Sequence, residues 1–129
     1  MTFIEYNESL CKIQAKVADA RNAGISKKEI NDIKSEMEFD LSIEYFLGSD
    51  FSADRWEMLR EIHRHMRRSL IMAVGLRVRG ETSPAIHDTE VQSITKKMVK
   101  DFANILSTNE LKSFIGGNAE FYSETSSHS

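Results

Sequence analysis

Residues 2–24 read TFIEYNESLCKIQAKVADARNAG, and this stretch sets the class of the fold. Thr2 followed by Glu5 is a T-x-x-E capping box, in which a hydroxyl and a carboxylate three residues apart satisfy two helix N–H groups that have no intrahelical partner. Phe3, Tyr6, Leu10, Ile13, Val17 and Ala20 follow at alternating steps of three and four, the spacing of one helix packed on another. Gly24 then supplies a helix stop. The spacing predicts a helix over residues 3–23.

The same grammar repeats outward. Ser26 and Glu29 form a second box, with a stripe at Ile30, Ile33, Met37, Leu41 and Tyr45 and a stop at Gly48. Phe39, Ile43 and Phe46 lie off that stripe, so this helix is expected to be covered on more than one side. Ser52 or Asp54 opens a third helix, about 37 Å long at 1.5 Å per residue, with Trp56, Leu59, His63, Met66, Leu70 and Ala73 on one face and Gly80 as its end. Thr89 and Gln92 read as the start of a fourth helix with Val91, Ile94, Met98, Phe102 and Ile105. Ser83-Pro84 reads as a short helical turn before it. Ser107 and Glu110 open a short fifth helix over Leu111, Phe114 and Ile115, stopped by Gly116-Gly117. The expectation is an all-α protein, an antiparallel bundle of four main helices plus a short C-terminal fifth. It forms one domain over residues 1–117, followed by a flexible, serine-rich tail over 118–129.

The chain has 129 residues, one proline and six glycines, too little turn punctuation for a sandwich or barrel. A net charge of −3 argues against a globally basic nucleic-acid binder. The single cysteine, Cys11, excludes an intramolecular disulfide and lies mid-helix with only Lys12 beside it, a setting for a packed or half-exposed thiol. The N-terminal stretch lacks a basic segment followed by an apolar run, and Leu70–Leu76 is far shorter than a span of about 20 residues. A reducing cytoplasm, with no membrane association, is the expected setting.

Two features point toward function. Residues 29–54 carry eight acids against Lys34, whereas residues 55–79 carry seven arginines against Glu57 and Glu61. An acidic second helix answering a basic third one across a short loop is the first reading. The second is an arginine face with Arg60, Arg64, Arg67 and Arg68 free to meet a partner. The other feature is Leu70-Ile71-Met72-Ala73-Val74-Gly75-Leu76, apolar all round, with Leu70, Ile71, Met72, Val74 and Leu76 expected in the bundle centre or between two subunits. A strand over Val74–Val78 is the rival reading of that run. Of the six methionines, Met37, Met66 and Met98 fall on helix stripes, while Met58 and Met72 do not.

No glycine-rich phosphate loop, CxxC or G-x-S-x-G motif occurs. Glu57, Glu61 and His65 share a helical row that would begin a metal site, but closing it needs ligands from elsewhere, such as His87, Asp88 and Glu90. His63 and His65, two apart, point about 200° from each other on a helix and cannot chelate one ion. The hexad Arg60-Glu61-Ile62-His63-Arg64-His65 resembles the R-x4-H active-site motif of HEPN-type ribonucleases, small helical bundles that are often dimeric. The resemblance covers six residues and implies that Arg60 and His65 act on an RNA phosphate and its 2′-hydroxyl. It departs from the family at Glu61, acidic where that family often carries a polar residue. His65-Met66-Arg67-Arg68-Ser69 is similar to the site of histidine phosphotransfer domains, but those place small residues beyond the histidine, where this chain has Leu70, Ile71 and Met72.

The first functional expectation is a small non-enzymatic regulator, adaptor or immunity-type inhibitor, acting through protein–protein contact as a homodimer, with no cofactor, metal or catalytic residue. The second is a nucleic-acid binder or HEPN-like ribonuclease working through the arginine-rich third helix.

Overall fold

In a computed structural model the described residues are 1–117, and they form five helices and no strand: α1 (Phe3–Asn22), α2 (Lys27–Leu47), α3 (Ala53–Val78), α4 (Pro84–Ala103) and α5 (Thr108–Gly117). The all-α class and the four-long-plus-one-short order follow the sequence pattern. The expected tail, with Phe121 and Tyr122, lies outside the described residues. The chain divides into two compact units, residues 1–52 and the segment beginning at Ala53.

The first unit is an α-hairpin. Thr2 accepts from the Glu5 N–H while the Glu5 carboxylate takes the Thr2 N–H, so the capping box is complete. At the far end Gly24 adopts φ 82°, which lets the Ile25 N–H reach the Ala20 carbonyl and the Gly24 N–H reach that of Arg21. This is the Schellman arrangement, open to glycine because it lacks a Cβ. The chain then reverses, and Ser26 caps α2 by accepting from Glu29 N–H. Tyr6 at the start of α1 stacks on Tyr45 at the end of α2, with centroids 4.4 Å apart, and Phe46 meets both rings edge-on. That pairing fixes the antiparallel register. Ile13 and Ile30 are buried, whereas Phe3 and Ile33 remain exposed on their stripes. Phe39, Leu41 and Ile43 are all buried although they fall on different sides of α2.

The second unit packs α3 against α4 in antiparallel fashion, with α5 folded across the end of α4. Its core is Leu59, Met66, Ala73, Met98, Phe102, Leu106 and Phe114. Phe102 and Phe114 meet at 5.7 Å and 84°, the edge-to-face geometry that ring quadrupoles favour. The Ser107–Glu110 box forms in both directions. Arg55, in the first turn of α3, donates to the Ile105 carbonyl and to Glu110, tying α3 to the α4–α5 turn and to α5.

One boundary is corrected. The fourth helix begins at Pro84, with Ser83 as N-cap accepting from the Ile86 N–H, not at Thr89. Proline at the first helical position has a fixed φ suited to a helix and lacks an N–H that would be unpaired there. Ser83-Pro84 therefore starts the whole helix rather than a brief turn. Thr89 sits inside it and donates its hydroxyl to the Ala85 carbonyl. The rival strand over Val74–Val78 is helix instead, because α3 continues to Val78.

Candidate interaction surface

The second half of α3 ends in the same way as α1. Gly80 adopts φ 73°, the Glu81 N–H reaches the Leu76 carbonyl and the Gly80 N–H that of Arg77. Seven apolar or small residues thus stay helical up to a sharp stop. A helix resting on one neighbour buries one stripe, not its circumference. Of the run, Ala73 is buried and Leu70 and Leu76 are half-buried. Ile71, Met72, Val74 and, just beyond, Val78 are 49%, 70%, 50% and 80% exposed. The expectation that the whole run sits in a bundle centre is therefore corrected: among the described residues Ile71, Met72 and Val74 are exposed, and only its α4 side is covered.

The exposed residues divide between two sides. Ile71, Val74 and Val78, at i, i+3 and i+7, form one stripe. Met72 turns the other way, toward α4, where Ser69, Met72, Ala73, Leu76, Thr89, Glu90, Ser93 and Ile94 line an open groove of about 450 Å³. Ile86 extends the α4 wall and is itself exposed. Of the α4 half of this groove the sequence singles out Ile94 on the helix stripe, while Thr89 reads as a helix cap and Glu90 as a possible metal ligand. Met58 and Met72, the methionines that fit no stripe, are exposed. Met66 and Met98 are buried.

The arginine face is less open than its composition suggests. Arg60 donates to Glu57 at 3.1 Å and lies 5.6 Å from the centre of the Trp56 ring. Arg64 bridges Glu57 at 3.3 Å and Glu61 at 2.7 Å. Two of the four candidate arginines are thus answered by carboxylates of their own helix. Such partly exposed pairs contribute about 0–1 kcal/mol each. Arg67 is half-buried. Arg68 is exposed and makes no ion pair among the described residues.

The R-x4-H pair is not assembled within one chain. Five helical positions place Arg60 and His65 about 140° apart. Arg60 is held by Glu57, whereas His65 lines a small cleft of about 40 Å³ with Ile62, Met66, Ser69, Lys97 and Asp101. His63 is buried. Among the described residues no three potential ligands converge on a metal position. Glu57 and Glu61 are already engaged by Arg64. Cys11 is an exposed thiol on α1.

No known protein family, curated protein or solved structure matches this chain.

No helix among the described residues is long and apolar enough to cross a membrane. Thr82, which the sequence does not single out, and His87, which it offers as a possible metal ligand, have their Oγ1 and Nδ1 buried with no hydrogen-bond partner among the described residues. They flank the Ser83 cap at the positions where helices often place an apolar staple, a signal hidden by the misplaced helix start.

Proposed function

We propose that this chain is a non-enzymatic cytoplasmic interaction protein, a small regulator, adaptor or inhibitor, that works as a homodimer and engages a protein partner along the second half of α3. One observation carries the reading: Ile71, Val74 and Val78 form an exposed apolar stripe on a regular helix. The spacing is that by which one amphipathic helix receives another. Residues 66–78 around the stripe hold Arg67, Arg68 and Arg77 and no acid, while Arg79 just beyond is answered by Glu81 at 3.0 Å, so the fitting partner is an acidic amphipathic helix. Fully burying a branched aliphatic side chain is worth about 1.5–3 kcal/mol. Three that are already partly covered supply only part of what association costs, and contacts to the arginines make up the rest.

The test is a photo-crosslinking residue at position 74, with a control at Lys12 on α1. An adduct at position 74, absent from the control and abolished by Val74→Asp with Val78→Asp at unchanged helical circular dichroism, supports the reading. No site-dependent adduct overturns it. Steeply salt-dependent binding to bulk RNA, with cleavage lost in His65→Ala, would instead move the function to the ribonuclease reading.

A further inference from the structure

We infer that the small α3–α4 cleft at His65 and Lys97 is a binding site for free inorganic phosphate, an oxyanion that keeps a proton at neutral pH. The inference goes beyond the contact-protein reading and does not depend on it.

The site is built from two pairs of side chains. His65 and Ser69, four apart on α3, share a face, and so do Lys97 and Asp101 on α4. All four line one cleft of about 40 Å³. Met66 and Met98, both buried, line it as well, together with Ile62 and Ile94. One water takes about 10–15 Å³ on the same scale. The cleft therefore has room for about three waters, or one small tetrahedral oxyanion.

None of the four polar side chains makes a hydrogen bond or ion pair among the described residues. Lys97 and Asp101 stand one turn apart, where a pair could form, but with the lysine first, the weaker order on a helix. A few polar groups converging over an apolar lining, with no partners of their own, is the usual make-up of a small-ligand site.

The inventory of donors and acceptors selects the ligand. Lys97 offers ammonium donors, His65 a ring N–H in either tautomer, and Ser69 a hydroxyl, whereas the Asp101 carboxylate only accepts. Inorganic phosphate at neutral pH carries both charged oxygens and at least one O–H. Lys97, His65 and Ser69 donate to the charged oxygens, and Asp101 accepts from the O–H. Sulfate has no proton to give. A phosphate monoester loses its second proton at a pKa of about 6. Either would set a bare oxyanion against the Asp101 carboxylate, and that repulsion rejects it.

The surrounding charge favours an anion. Asp101 is the only acid that lines the cleft. Arg68, three positions from His65, and Lys100, three from Lys97, are exposed and make no ion pair among the described residues. Glu61, one turn before His65, is already answered by Arg64 at 2.7 Å. Cations therefore outnumber free acids here, although the whole chain carries a net charge of −3. Hydrogen bonds to an ion are also stronger over an apolar lining than in open water.

The experiment titrates the full chain with sodium phosphate, sodium sulfate and glycerol phosphate in a phosphate-free buffer at fixed ionic strength. It is run at about pH 7.5, where the ester is ionised. Calorimetry gives the affinity, and amide NMR shifts give the place. The wild type should bind phosphate with shifts centred on residues 62–69 and 94–101. It should bind sulfate and the ester at least about tenfold more weakly. Lys97→Met should weaken phosphate binding about tenfold or more, the loss of one charged donor. Asp101→Asn should erase the preference, because an amide can donate to any oxyanion, so sulfate then matches phosphate. Both variants should keep the wild-type helical circular dichroism. A wild type with no phosphate-dependent shifts at millimolar concentration overturns the inference. So do shifts without a focus at the cleft, sulfate bound as tightly as phosphate, or an Asp101→Asn variant that still prefers phosphate. An ester bound more tightly than free phosphate would give the cleft to a phosphorylated group, and the inference also fails. The position-74 crosslink reads another part of α3, so the contact-protein reading stands or falls separately.

Discussion

Replacing Arg55 by methionine should loosen the junction of α3, α4 and α5. The Arg55 guanidinium donates to the Ile105 carbonyl at 3.1 Å and to Glu110 at 2.5 Å. Glu110 is also the N3 residue of the α5 capping box, accepting from the Ser107 N–H at 2.8 Å. The side chains of the pair are 35% and 30% exposed. A hydrogen bond to a charged group contributes about 1.5–3 kcal/mol. A surface ion pair contributes about 0–1 kcal/mol. A pair one-third exposed lies between, so Arg55→Met should cost about 1.5–2 kcal/mol, including the carbonyl left without its donor. That corresponds to a fall in Tm of about 6–10 °C. The Arg55 hydrogen bond first, and the Ser107 N–H second, hold the Glu110 carboxyl below its ordinary value. A carboxylate whose folded value is depressed contributes stability that is present above its unfolded value, about 4.3, and lost as pH falls through the folded value. Urea unfolding followed by circular dichroism should therefore show Arg55→Met and Glu110→Gln below wild type at pH 7. In acid the wild type should fall to meet Glu110→Gln, whereas Arg55→Met should keep the part of its deficit that comes from the Ile105 carbonyl. The double variant should show a coupling of about 1 kcal/mol. Additive single effects, or an unchanged gap between wild type and Glu110→Gln across the acid range, would refute the reasoning.

Two further perturbations probe the other helix junctions. Ser83→Ala removes the cap of α4 and should cost about 1 kcal/mol, whereas Thr89→Ala, inside that helix, should cost only a few tenths because its hydroxyl merely back-bonds to a carbonyl; equal costs by urea titration would return the helix start to Thr89. Tyr6 is pushed above its ordinary value by burial, then by the Glu38 carboxylate and by Tyr45. Its contribution is thus present below the unfolded value near 10 and lost as pH rises through the folded one. An ultraviolet titration should show a late-ionising step that Tyr6→Phe removes.

How far the sequence reaches can be judged from particular residues. Thr2 with Glu5, Ser26 with Glu29, and Ser107 with Glu110 each start a helix as their chemistry requires, and Gly24 and Gly80 each end one at positive φ. These are local events, closed within a few residues, so the chain encodes them without reference to its distant parts. The error at Thr89 is also local in origin. Two capping signals competed, and the earlier one won because Pro84 is already set for a helix and extending α4 back to it adds backbone hydrogen bonds.

Burial is different, because it depends on which neighbour comes to lie on each face. Leu70–Leu76 is apolar on every side, yet among the described residues its side toward α4 is the covered one and Ile71, Val74 and Val78 stay exposed. By itself, then, the sequence determined the helices, their order and most of their ends, since those follow from hydrogen bonds a few residues long. Only the tertiary structure decided which apolar side chains remain exposed and that Met72 and Glu90 share a groove. Those facts join residues far apart in the chain, and no periodicity within one helix encodes them.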